Sequence, residues 1–288
     1  MSEQVSEIAE LLHALSHRRL MARGKRGAQI VVVGGGVIGC AVARHLAAAG
    51  ADVVVMERGT PGAEASSAAA GMLSPLAETA GPGPFLDLLR QARTAFPAFA
   101  QMLSAETGIE VGYRDRGTLM LALTAADEAE LDERYRWQSA AGLEVERLSA
   151  AEALRLEPNL NPEVRWALRF PGDHQVENRH LSRALWAAAA RAGAHFRLGA
   201  EVIRLSCEGS RVAGVELFGG ETVEAETVVV AGGSWAGRMA GLPRPLPVFP
   251  VHGQLLAVEA LPPVFAHVVD SPRCYLVPRA DGRLIAGA

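Results

Sequence analysis

Four consecutive apolar residues, Ile30-Val31-Val32-Val33, run directly into Gly34-Gly35-Gly36, and an apolar stretch resumes behind them. A half-exposed strand alternates its faces, so apolar residues at successive positions describe a strand covered on both sides, as in a parallel sheet. After the glycines the period changes. Ile38, Val42 and Leu46 recur every four residues through an alanine-rich stretch that stops at Gly50, which is the spacing and the ending of a helix. A second buried run, Val53-Val54-Val55-Met56, then ends on Glu57. Strand, helix and strand within about thirty residues form a βαβ unit, and this unit commits the chain to an α/β fold.

Inside the unit stands Gly34-x-Gly36-x-x-Gly39. The first glycine permits a tight turn, the second lets a pyrophosphate approach the main chain without meeting a Cβ, and the third lets helix and strand pack closely. A helix starting near Val37 adds free N–H groups and a partial positive charge directed at phosphate oxygens. Glu57, eighteen residues beyond Gly39, sits where a carboxylate can accept hydrogen bonds from a ribose diol and repel a 2′-phosphate. Such glycines also serve packing alone. With both strands, the helix and the terminal acid in place, a dinucleotide other than NADP is the better reading, and FAD and NAD both remain open.

Charge narrows the partners. Lys+Arg 28 against Asp+Glu 32 leaves a net charge of −4, which supplies no basic field for nucleic acid or an anionic membrane surface. No stretch reaches the roughly eighteen apolar residues that span a bilayer. Cys40, Cys207 and Cys274 are scattered, without CxxC or histidine at ligand spacing, so neither a disulfide framework nor a metal site is expected and a reducing cytoplasm is the simplest compartment. Over residues 1–27, Val5, Ile8, Leu12 and Leu15 share a helical face, with acids before bases; the expectation is a short amphipathic extension docked on the protein's own body, not an export signal.

Further along, Gly81-Pro82-Gly83-Pro84 punctuates the chain. Residues 85–107 read as a helix, 117–123 as a strand and 125–141 as a charged surface helix, while Ser149-x-x-Glu152 is a capping box for a short helix that Pro158 ends. Around "FPGDHQVEN" the chain returns. Leu181, Leu185 and Ala188 mark a helix from Asn178, followed by strands around Val202 and Val212 and the buried run Val228-Val229-Val230. Pro243, Pro245, Pro247 and Pro250 mark a second crossing, beyond which strands near 254–258, 273–278 and 283–286 predict an antiparallel sheet.

Four stretches, "VVVGGGVIGCAVARHLAAAGADVVVMER", "ASSAAAGML", "TVVVAGGSWAG" and "CYLVPRADGRLIAGA", carry a resemblance to the D-amino-acid oxidase superfamily of flavoproteins, most closely its glycine oxidases of the thiamine-biosynthesis type. The resemblance covers nearly everything from residue 28 and implies an α/β architecture: a Rossmann-like FAD-binding domain over 28–84 and 171–247, interleaved with an α+β substrate domain over 85–170 and 248–288 built on an antiparallel sheet. It implies FAD as the cofactor. Gly34, Gly36 and Gly39 would face its pyrophosphate and Glu57 the adenosine ribose, with Val37, Ile38 and Arg58 also at the cofactor. Ser66, Ser67, Ala70, Gly71 and Met72 would pass beside the flavin, Val202 would meet the adenine through its main chain, and Gly232 would return to the cofactor. Met72 and Tyr275 would border the substrate.

The chemistry so implied is oxidation of glycine or another small amino acid to an imine that hydrolyses to a glyoxylate-type product, with molecular oxygen reduced to hydrogen peroxide. No side-chain base is required if the amine binds neutral, so no residue, His174, His180 and His252 included, is assigned as catalytic. Homo-oligomerisation is a further expectation. Alternatives are an amino-acid dehydrogenase with another electron acceptor, or a shortened flavoprotein without turnover. Glycine oxidases continue past "RLIAGA" with a closing strand, a helix whose amino terminus faces the flavin pyrimidine ring and an arginine for the substrate carboxylate, none of which this sequence matches. In "VHGQ", His252 stands where relatives commonly carry arginine.

Overall fold

Val31 and Val32 have no exposed surface, and the whole of β2 (Val53–Glu57) is buried, so the two runs of apolar residues occupy the middle of a sheet. The computed structural model describes residues 28–287. The amphipathic extension expected over 1–27 lies outside the described residues. β1 (Ala28–Val33) pairs in parallel with β2 on one side and β11 (Thr222–Val230) on the other, and β8 (His195–Leu198) extends the parallel run beyond β2. Antiparallel β10 (Arg211–Leu217) and β9 (Val202–Glu208) complete the order β8-β2-β1-β11-β10-β9. α1 (Val37–Ala48) is the crossover between β1 and β2. On one face of this sheet Val31, Val33, Val54 and Met56 pack with Leu205, Val215 and Leu217, a continuous apolar layer that removes all of these side chains from water.

The second sheet has seven strands in the order β12-β15-β14-β13-β4-β6-β5. They are β4 (Thr118–Ala122), β5 (Glu146–Ser149), β6 (Trp166–Phe170), β12 (Leu255–Glu259), β13 (Val268–Asp270), β14 (Tyr275–Pro278) and β15 (Arg283–Gly287). Every neighbouring pair is antiparallel except β13 and β4, which run in parallel, so the sheet expected to be antiparallel is a mixed one. β3 (Met72–Leu73) and β7 (His174–Gln175) form a separate antiparallel ribbon. The short helices α2 (Ala65–Ala68) and α3 (Pro75–Glu78) flank β3, and the long α4 (Pro84–Thr107) follows.

α5 (Ala125–Ala140) and α6 (Ala150–Leu156) each begin with a complete capping box, Thr124 with Asp127 and Ser149 with Glu152. α7 (Asn178–Arg191) leads into β8. Among the described residues, no helix is long and apolar enough to cross a membrane.

The chain divides into two compact units: 28–69, 106–109 and 179–252 form the first, and 70–105, 110–178 and 253–287 the second. The Gly-Pro punctuation at 81–84, where the first segment of the expected FAD-binding domain ends, lies inside the second unit. Leu76 and Ala77 already belong to that unit's core with Leu86, Met120 and Leu168, and Asp173 accepts hydrogen bonds from the N–H groups of Leu76 (3.2 Å) and Ala77 (2.8 Å).

Candidate functional site

The turn between β1 and α1 uses its glycines in three different ways. Gly34 has φ +102°, and a Cβ there would stand 2.5 Å from the carbonyl oxygen of Ala231 at the end of β11. At Gly39 a Cβ would fall 1.9 Å from the carbonyl oxygen of Gly34, so only glycine lets α1 sit on the turn. Gly36, the N-cap of α1, has ordinary extended angles (φ −72°, ψ −177°), and a Cβ would meet only the Ser66 hydroxyl at 3.1 Å. Its missing side chain therefore clears space, not backbone.

That space is a cavity of about 230 Å³ built entirely by the first unit. Gly34, Gly36, Glu57, Arg58, Ser66, Val202 and Gly232 line it, all of them singled out in the sequence. Val37 does not line it; its N–H donates to Ser66 Oγ at 3.0 Å, which ties α2 to the first turn of α1. Gly39, Ile38 and Ser67 do not line it. Gly39 is buried in the helix contact, Ile38 points a largely exposed side chain outward, and Ser67 donates to the carbonyl of Ala63 at 2.8 Å.

Glu57 is held before any ligand arrives. One carboxylate oxygen accepts from the Gly35 N–H and the other from the Gly59 N–H, both at 2.7 Å, in a side chain only 8 % exposed. Each oxygen retains a second lone pair, so the carboxylate can still accept from a diol at the cavity wall. Cys40, behind the same turn, has its thiol pushed up to about 12 by burial and by the nearby Glu57 charge, which leaves it a packing residue and not a nucleophile.

Beside Arg58, the cavity rim carries Glu64, Trp235 and Arg238, which the sequence motif did not single out. The guanidinium groups of Arg58 and Arg238 each lie 4.5 Å from the ring centroid of Trp235. Glu64 accepts from Arg58 at 2.5 Å and from the indole N–H of Trp235 at 3.3 Å. Trp235 and Arg238 belong to a 3₁₀ turn, Gly233–Arg238, that follows β11. The signal was the tryptophan inside "GGSWAG", where a small-residue loop otherwise needs no ring.

The remaining sequence-predicted residues belong to the second unit. Gly71 has φ +73°, and a Cβ there would stand 2.1 Å from the Val176 carbonyl oxygen. Met72 pairs with Gln175 in the β3–β7 ribbon. Tyr275 opens β14 opposite Asp270 and Gly287, and a Cβ on Gly287 would run into its ring at 2.4 Å. Met72 and Tyr275 pack against one apolar cluster, Ala70, Val268, Val277 and Ile285. Burial, followed by the charges of Glu78 and Asp270, holds the Tyr275 hydroxyl above its usual range, so it stays protonated. Arg273, on the surface, lies 3.6 Å from Asp127, and Arg279 is buried and occupied by main-chain acceptors. Among the described residues no group of three or more His, Cys, Asp and Glu could hold a metal.

A dinucleotide fits the first unit: a cavity beside Gly36, where no Cβ covers the main chain, and an anchored acid at the end of β2 meet its needs of backbone access and a diol acceptor, and Arg238 adds a cation to a lining that otherwise carries Arg58 paired with Glu64. Glycine oxidase from Geobacillus kaustophilus is 38 % identical over 262 residues, an alignment covering 90 % of this chain and 69 % of that protein. Its crystal structure superposes with a TM-score of 0.86, covering 91 % of this chain and 71 % of that one. The bifunctional protein ThiO/ThiG of Synechocystis is 35 % identical over 267 residues, of which this chain spans 38 % of its length. The family model described as FAD dependent oxidoreductase matches residues 29–288, that is, both units and all of the cavity just described, and the chain belongs to that family.

Proposed function

We propose that the chain oxidises glycine, or another small primary or secondary amino acid, to an imine that hydrolyses to a glyoxylate-type product, with molecular oxygen as acceptor and hydrogen peroxide as by-product, in the supply of the thiazole part of thiamine. The observation that carries the reading is the cavity of the first unit, built from the glycine fingerprint, Glu57 and Ser66, in a chain 38 % identical to a glycine oxidase. FAD, when bound, supplies the acceptor for the hydride of the substrate α-carbon.

The chain's own residues contribute binding and position. Gly34 and Gly36 admit the pyrophosphate to the main chain, Glu57 accepts from the adenosine ribose with Arg58 beside it, and Arg238 supplies a cation for the phosphate charge. Val202 lines the adenine side, and Ser66 steadies the first turn of α1. Met72 supplies an apolar wall and Tyr275 a neutral hydroxyl on the substrate side, both fixed by the Val277 and Ile285 cluster. No residue has to remove a proton from carbon if the amine binds neutral.

The test is the visible spectrum of the purified chain with FAD, recorded before and after glycine is added without air. Retained flavin that bleaches, with peroxide formed once air is admitted, is the expected result. Flavin retained but unbleached by glycine, sarcosine and short D-amino acids would overturn the substrate class, and a chain that holds no flavin would overturn the proposal.

A further inference from the structure

Arg279 follows β14 and is almost completely buried, at 5 % exposed, although nothing in its sequence position predicts burial. Its guanidinium donates to the carbonyl of Ala70 at 2.6 Å, to the carbonyl of Val176 at 2.8 Å and to Asn178 Oδ1 at 3.2 Å. The Glu177 carboxylate stands 3.4 Å from Nε and balances the charge, while also pairing with Arg283 at 2.8 Å. One planar fork thus joins two stretches of main chain that are far apart in sequence, residues 70–72 and 176–178. A buried cation is retained only where its partners are fixed, because each unmet donor would otherwise stay desolvated.

The segment it holds is tied at each successive residue. Ala70 accepts from Arg279, the Gly71 carbonyl accepts from the Val176 N–H at 2.8 Å, and Met72 pairs with Gln175. Gly71 sits at φ +73° with no room for a Cβ, so the segment has one conformation only while both Val176 and Arg279 stay in place. Glu177 is itself anchored, since its N–H donates to the Val111 carbonyl at 2.9 Å.

We infer that Arg279 is a positioning residue: its buried fork clamps residues 70–72 against 176–178 and so sets where Met72 stands on the flavin and substrate side. The catalytic consequence rests on the proposed function above; the clamp itself does not. Lysine at this position keeps the charge opposite Glu177 but offers no planar fork, so it cannot serve all three acceptors in the same geometry.

The experiment compares wild type with Arg279→Lys. Hydrogen exchange of the flavin-free chains is expected to show the amides of 71–73 exchanging at least about tenfold faster in the variant, with those of β4 and β6 in the same unit unchanged. With FAD loaded, kcat for the amine is expected to fall by roughly ten- to a hundredfold while KM moves much less, since misplacement of a positioning element weakens turnover more than capture. Arg283→Gln, which touches Glu177 but not residues 70–72, should leave both measurements near wild type. Unchanged exchange at 71–73, or acceleration spread evenly over the unit, overturns the inference. Local loosening in Arg279→Lys together with a wild-type chain that oxidises no amine supports the clamp and overturns the proposed function instead. Should Arg279→Lys fail to fold, Asn178→Ala removes one anchor of the fork, and unchanged exchange at 71–73 in that variant overturns the inference equally.

Discussion

Gly36 and Gly39 belong to one fingerprint, yet only at Gly39 does the surrounding backbone require glycine. At Gly39 an added Cβ would stand 1.9 Å from a main-chain oxygen that cannot step aside, whereas at Gly36 it would meet a rotatable serine hydroxyl at 3.1 Å and otherwise enter the cavity. Gly36→Ala should therefore fold, costing no more than about 1 kcal/mol at an N-cap position, while weakening FAD binding at least about tenfold. Gly39→Ala should lose stability by about 1–3 kcal/mol or more through overpacking, and lose flavin with it. Thermal melts with and without FAD, together with a flavin titration, separate the two. Equal effects of both substitutions on stability would show that Gly36 is a packing residue and that the cavity beneath it does not receive phosphate.

At the scale of elements, Asp173 holds the second unit's short helix α3 in place. It has no exposed surface, and burial pushes its carboxyl up to about 7 against the opposing pull of the Ala77 and Leu76 N–H groups and of Arg93. The folded pKa thus lies above the ordinary value of 3.8, so the folded chain binds the extra proton between the two. The associated stability is fully present below about pH 4 and is lost as pH rises through about 7, by at most about 1.4 kcal/mol per pH unit. Asp173→Asn should remove that slope, so wild type and variant, compared by urea unfolding between pH 4.5 and 7.5, should converge or cross as pH rises. Parallel curves would mean that the folded carboxyl ionises at its ordinary pKa.

Elements of this kind also mark what was legible in the chain. The first sheet and its turn could be read because β1, β2 and β11 carry consecutive apolar residues and the glycines announce themselves by spacing. The second sheet could be read only in pieces. β6 is a five-residue run, Trp166–Phe170, and its place between β4 and β5 depends on pairing partners that no local pattern encodes. The parallel joint of β13 with β4 brings together strands about 150 residues apart, where loop closure and not propensity decides. At the site, Gly34, Gly36, Glu57 and Ser66 were visible as motif residues. Arg238 and Arg279 were not, because an arginine after a strand or turn normally marks solvent, and only coordinates show that one stacks on Trp235 and the other is buried against main-chain carbonyls.

For the whole molecule, each unit has its own sheet and its own apolar clusters, although the chain passes between the units five times. Every residue lining the first unit's cavity lies within that unit. A ligand that binds only the folded state adds RT ln(1 + [L]/Kd), about 2.7 kcal/mol at a hundredfold excess over Kd, and it adds this to whichever part must open for the ligand to leave. With FAD at that excess, the slowest-exchanging amides of β1, β2 and β11 should gain about a hundredfold protection, and those of β4 and β6 distinctly less. Hydrogen exchange followed residue by residue, with and without FAD, measures both sets in one experiment. Equal gains would show that the five crossings make the two units open as one, so that flavin binding supports the second unit's sheet as strongly as the first's. A gain confined to the first unit would mean that the second unit, with Met72, Tyr275 and the Arg279 clamp, keeps its geometry through its own packing, whether or not the cofactor is bound.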